Sequence, residues 1–162
     1  ISSEKTNYYE YGLSMDDKRL SANISLFYKS SNYMIDWKFD DNMDKYKYLL
    51  DQGKNSKKFP EEFRKDNFKV KGCQSQVWVV PVLKEKLLSF HTDSDAFLTK
   101  GMITILSDIY GNNTPEDIMG ADFEIVKRFN LEIILTPGRT NGVYSMLKEI
   151  KKYAETFSKK NS

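Results

Sequence analysis

Residues 69–91, KVKGCQSQVWVVPVLKEKLLSFH, are where the chain stops reading as helix and starts reading as strand. Lys69-Val70-Lys71 alternates over three residues. Val77 to Leu83 is β-branched and aromatic, which is the composition of a strand. Pro81 has no N–H to give a ladder, so this strand belongs at an edge or is irregular there. Lys84-Glu85-Lys86 makes a polar turn, and Leu87 to His91 forms the return strand. The expectation is a small antiparallel sheet of about three strands.

Both flanks read as helix. Upstream, Leu20, Ile24, Phe27 and Tyr28 recur at helical spacing over Asp16–Asn32. Met43, Tyr46, Leu49 and Leu50 repeat it over Asp40–Gly53, with Gly53 as a natural stop. Residues 51–67 are charged and read as a loop. Downstream, Asp93 or Ser94 caps a helix carrying Phe97, Met102, Ile105, Leu106 and Ile109 to Tyr110, and Gly111 follows. Thr114-Pro115-Glu116-Asp117 starts another, with a hydroxyl cap, proline in the first position and acids in the first turn. A short helix covers about Phe123 to Asn130. The last begins near Arg139–Asn141 and ends near Phe157, with Val143, Met146, Leu147, Ile150 and Tyr153 on one face. The class is α+β, a small sheet covered by helices. One domain is expected over residues 15–158, with a polar tail at 1–14 and a short one at 159–162.

Composition narrows the function. The chain has 162 residues, 40% hydrophobic and 14% aromatic, enough for a core and too aromatic for disorder. No apolar run approaches the roughly 20 residues of a membrane span. Twenty-five basic against 23 acidic side chains give +2, and the lysines are scattered among acids, so a solvated face is read rather than a nucleic-acid surface. The sequons at Asn23 and Asn112 are read as chance. A single Cys and a single His exclude a disulfide framework, a Cys-rich zinc site and a CxxC redox pair. Neither common phosphate loop is present, and one Cys and one His without HExxH or EF-hand spacing argue against a metal site.

Chemistry at sulfur therefore rests on Cys73. It lies in Lys71-Gly72-Cys73-Gln74-Ser75, a polar loop between strands in which Gly72 permits a turn. The placement favours presentation over packing, although a buried structural cysteine is the common alternative. Only Lys69 and Lys71 are near enough in sequence to help ionise it, so a thiol activated by a partner is favoured over one that turns over alone. His91 is read as a strand-end residue beside Asp93, not as half of a Cys–His pair. Asp93-Ser94-Asp95 offers two carboxylates for acid/base work, but a helix N-terminus explains the two acids more cheaply.

Gly72-Cys73-Gln74-Ser75-Gln76-Val77-Trp78, followed by Asp93-Ser94-Asp95-Ala96, Lys100-Gly101, Thr114-Pro115-Glu116-Asp117-Ile118 and Thr136-Pro137-Gly138-Arg139-Thr140-Asn141-Gly142, resembles the SufE family in order and spacing. Trp37 and the stretch Lys45 to Gly53 resemble its N-terminal helix. The resemblance covers about residues 20–157 and implies a SufE/IscU-like fold. It also implies sulfur relay. Cys73 would accept persulfide sulfur from a SufS-type cysteine desulfurase, stimulate that enzyme and pass sulfur to a SufBCD-type scaffold for iron–sulfur assembly. Pyridoxal phosphate would belong to the partner, so the resemblance implies no cofactor site in this chain. Gly72, Gln74 and Ser75 would shape the cysteine loop, Asp93 and Asp95 would support it and the partner surface, and Arg139 would lie near it. Gly138 departs from the serine common before that arginine.

The rival readings are a CsdE-like acceptor for another desulfurase, a non-catalytic adaptor with a structural cysteine, and a free-standing Cys–His hydrolase. Enrichment in Asn, Lys and Tyr, with no initiator Met, raises the expectation of a plastid (apicoplast) protein, a bacterial cytoplasm being the alternative.

Overall fold

A computed structural model describes residues 42–121 and 135–161, together with positions 123, 124, 126 and 131. The expected tail at 1–14, the helix over 16–32, Trp37 and most of the helix over 123–130 lie outside the described residues, as does the side chain of Met43.

Among the described residues the sheet has two strands rather than about three. β1 (Val77–Lys84) and β2 (Leu87–Ser94) pair antiparallel, with Val77 opposite Ser94 and Lys84 opposite Leu87. Lys69 only bridges to Trp78, and Val70 N–H donates to the Val77 carbonyl at 2.8 Å. The segment before the loop is therefore a bridge, not a strand. Pro81 lies opposite Phe90, and on its other side it has no ladder partner among the described residues, as proline requires. The turn places both Glu85 (φ 51°) and Lys86 (φ 68°) in the left-handed region without a glycine. That is the backbone of a two-residue hairpin turn whose twist matches the strands.

β1 is buried on both faces at its start, which is why it reads as an unbroken apolar run. Val77 and Val79 join Leu88 and Phe90 in the main core, whereas Trp78 and Val80 pack with Phe59, Phe63 and Phe68 on the other side. Residues 51–67 are thus more than a loop. Two short 3-10 turns, Glu61–Phe63 and Asp66–Phe68, fold their aromatics over the hairpin.

Four helices complete the described fold: α1 (Asn42–Lys54), α2 (Phe97–Tyr110), α3 (Pro115–Gly120) and α4 (Pro137–Asn161). α2 lies on β2 and carries α1 on its side, while α4 packs on α3, α2 and β1. α3 starts as its sequence predicts, with Thr114 Oγ1 accepting from Asp117 N–H at 3.1 Å. α2 starts differently. Asp93 and Ser94 stay in β2 and Ala96 is the cap residue, although Ser94 Oγ accepts from Ala96 N–H at 3.3 Å. At its other end, Asn112 (φ 58°) takes the left-handed position and the buried Asn113 amide donates to the Tyr110 carbonyl at 2.9 Å. α4 begins at Pro137 and runs through Asn161, past the expected end near Phe157. Val143, Met146, Leu147 and Ile150 are buried as its spacing predicts.

Gly53 does not stop α1. It lies inside the helix and faces Gly101 of α2 at a crossing where the backbones touch. A Cβ on Gly53 would overlap the Phe97 carbonyl oxygen, and one on Gly101 would overlap that of Leu49. Because the obstacle is backbone on both sides, nothing flexible can yield. Alanine is the better helix former by about 1 kcal/mol, yet Gly101→Ala should lower stability by roughly 2–3 kcal/mol through overpacking. Urea unfolding of the variant against the parent measures this.

Candidate functional site

The cysteine loop, residues 71–76, is pinched off by the Val70–Val77 hydrogen bond at the base of β1. Gly72 turns the chain with φ +89°, a conformation side chains resist. On the far side of the cysteine the loop is tied to the start of α2. Gln76 N–H donates to Asp95 Oδ1 at 2.9 Å and the Gln76 carbonyl accepts from Asp95 N–H at 3.2 Å. Lys69 Nζ reaches Gln76 Oε1 at 2.9 Å, and Thr99 Oγ1 lies 3.2 Å from Ser75 Oγ.

Between these ties Cys73 points down rather than out. The side chain is half-buried, packs against the main core, and its Sγ donates to the Gly142 carbonyl of α4 at 3.5 Å. Thr99, Met102, Gly138, Arg139, Gly142 and Met146 line the small open cleft around it, with Gln74 and Ser75 on the loop side. Loss of water raises the thiol from 9.0 to about 11. The expectation of a presented thiol is therefore corrected: the loop is polar, but its cysteine is sheltered.

The acids divide. Asp95 is exposed and clasps the loop through Gln76. Asp93 is 1% exposed and faces inward. Its carboxylate pairs with Arg64 and, at 2.8 Å, with Lys100. The Arg64 guanidinium lies over the Trp78 ring at 5.1 Å and the Phe59 ring at 5.7 Å. Asp93 thus braces the hairpin from inside and supplies no partner surface, and the two carboxylates do not form an acid/base pair.

Arg139 shares the cleft with Cys73, but its guanidinium makes no hydrogen bond to the loop carbonyls among the described residues. Its backbone N–H bonds the Thr136 carbonyl at 2.9 Å in the first turn of α4. Lys69 is occupied by Gln76 and by the Trp78 ring, 6.0 Å away. His91 is exposed on β2 opposite Val80, with its ring stacked on Phe63 at 6.3 Å, and does not line the cleft. No group of three or more potential metal ligands occurs among the described residues. Sequence reasoning missed Thr99, Met102, Ser145 and Met146, and it saw Gly142 only as part of a motif. Their signal was available in part, as small residues at 138, 142 and 145 along one face of a helix.

Residues 37–154 match the family described as SufE, the Fe-S metabolism associated domain. An uncharacterized SufE-like protein of Rhizobium etli is 36% identical over 121 residues, 72% of this chain and 82% of that one. The cysteine desulfuration protein SufE of Wigglesworthia glossinidia brevipalpis is 30% identical over 134 residues, 81% of this chain and 93% of that one. The solution structure of a hypothetical protein from Thermus thermophilus superposes with a TM-score of 0.66 at 16% identity, covering 79% of this chain and 94% of that one, which shows the same fold.

Three outcomes follow from the buried groups. Alkylation of Cys73 by iodoacetamide should keep accelerating with pH toward about 11, where an unburied thiol levels off near 9. Folding stability has the opposite sign. The protonated thiol is favoured in the fold, so its contribution is complete below the unfolded pKa and is lost as pH rises from about 9 to 11. Separately, Asp93→Ala should cost about 3 kcal/mol in urea unfolding, because it strands two partly buried cations.

Proposed function

The chain belongs to the SufE family, and on that premise we propose that it relays sulfur, taking persulfide sulfur from a SufS-type cysteine desulfurase onto Cys73 and handing it to a SufBCD-type scaffold. The observation that carries this reading is the setting of the thiol, alone in its chain and held on a tied-down loop over a helix.

The transfer itself needs only that thiol. The Cys73 thiolate attacks the terminal sulfur of the donor persulfide. A new S–S bond forms at Cys73 as the donor's S–S bond breaks, and the donor cysteine leaves as a thiolate. The proton given up by Cys73 ends on that thiolate or in solvent. No electrons are gained or lost overall, and the reverse reaction on another acceptor unloads the sulfur. A second thiol nearby would attack the Cys73 persulfide and release sulfide, and the chain has none to do so.

Shelter sets the timing. With its pKa near 11, Cys73 holds about one thiolate in ten thousand at pH 7. The free protein is accordingly a poor nucleophile. Docking on the desulfurase would lift the loop off α4, rehydrate or re-pair the thiol, and restore ordinary reactivity. Half-burial also favours a second reading, in which Cys73 is packing and the protein is an adaptor that stimulates the enzyme without carrying sulfur.

Incubation with a SufS-type desulfurase and free cysteine separates the two. The relay predicts an intact-mass gain of about 32 Da, one sulfur, that is reversed by reductant. Cys73→Ser should gain nothing and should not stimulate sulfide release. Wild type that stays unmodified while the enzyme turns over, or a serine variant that still stimulates, favours the adaptor.

A further inference from the structure

Three consecutive loop residues rest on three small residues of one α4 face. Gly72 lies against Ser145, where a Cβ would come within 2.8 Å of the hydroxyl. Cys73 lies against Gly142, and Gln74 against Gly138. The spacing 138, 142, 145 places all three on one stripe of the helix, so the loop runs antiparallel along it.

The three positions are not equivalent. A Cβ on Gly142 would sit 3.6 Å from Cys73 Sγ, an ordinary contact. One on Gly138 would overlap the Gln74 carboxamide, with Cδ only 2.7 Å away. The Gln74 amide therefore occupies the room that residue 138 leaves by having no side chain. The hydrogen bonds that tie the loop fall at Ser75 and Gln76. Cys73 itself is held by one weak thiol donor.

We propose that Gln74 is a latch: its carboxamide, seated on Gly138, holds the loop against α4 and keeps Cys73 covered. Residue 138 then sets how often the thiol is free, and Gln74 is a positioning residue that acts through the loop and not on the reacting sulfur. The contact is packing without a hydrogen bond, and Gln74 is exposed, so a docking partner can reach and displace it. The latch rests on the relay reading only for its purpose, which is to keep the acceptor thiol closed until it is wanted.

The obstacle at Gly138 is the end of a flexible side chain, so Gly138→Ala should expel the amide without moving backbone, and thermal unfolding should not fall. The readout is the rate of Cys73 alkylation by iodoacetamide on the full chain, at one pH and without a desulfurase. Gly138→Ala and Gln74→Ala should each speed it about three- to tenfold by raising the open population. The double variant should be no faster than Gln74→Ala alone, the signature of one shared contact. A wild-type rate in Gln74→Ala overturns the latch, even if Gly138→Ala fails to fold. An acceleration by Gly138→Ala that persists in the Gln74→Ala background overturns it too. The relay reading fails on a different measurement, the missing mass gain, so either idea can fall while the other stands.

Discussion

A carboxylate that is 1% exposed has to be answered by cations, and Asp93 is answered twice. Arg64 comes to it from the segment that precedes the hairpin, and Lys100 from α2. The three charges join the aromatic flap, the second strand and the helix that follows it. Arg64 also lies over Trp78 and Phe59, so apolar packing and charge pairing share one side chain. The loop of residues 71–76 springs from this braced corner. Its outgoing end is β1, next to Trp78, and its outer tie is Asp95, two residues beyond Asp93. A rigid base is what lets so short a loop have a defined closed position.

That position is a compromise between storage and reactivity. Burial raises the pKa of the Cys73 thiol and so cuts further the small thiolate fraction that makes it a nucleophile. The same burial would shield a sulfane sulfur from stray thiols. One property cannot be improved without loss of the other while the loop stays down. If the protein relays sulfur as proposed, the reconciliation would lie in two loop states whose populations a partner shifts.

The parts of the fold that follow from local rules were legible. Val77–Leu83 declared a strand, Thr114-Pro115-Glu116 a helix start, and Val143 to Ile150 a buried helix face. The misreadings share a cause, which is that they turned on tertiary neighbours. Gly53 looks like a helix stop until Gly101 is placed against it. Asp93 looks like a cap until Arg64 arrives from 29 residues away. Lys69-Val70-Lys71 has the alternation of a strand, but it finds a partner for only one bridge. At the site, the turn at Gly72 was legible from turn chemistry, and the placing of Asp95 beside the cysteine loop came only with the family resemblance. The shelter over the thiol was not legible, because the helix that supplies it is about seventy residues further on. Gly138 read as a missing serine and became intelligible only beside Gln74.

The hairpin turn at Glu85-Lys86 lies at the opposite end of β1 from the cysteine loop, roughly 23 Å away along the strand. Both residues are charged and exposed, and both hold left-handed backbone that glycine or asparagine adopts more easily. The molecule therefore has a working end and a handle. A fluorophore or a surface tether grafted at residues 85–86 would report the orientation and residence time of the protein on a partner while leaving the face around Cys73 unobstructed.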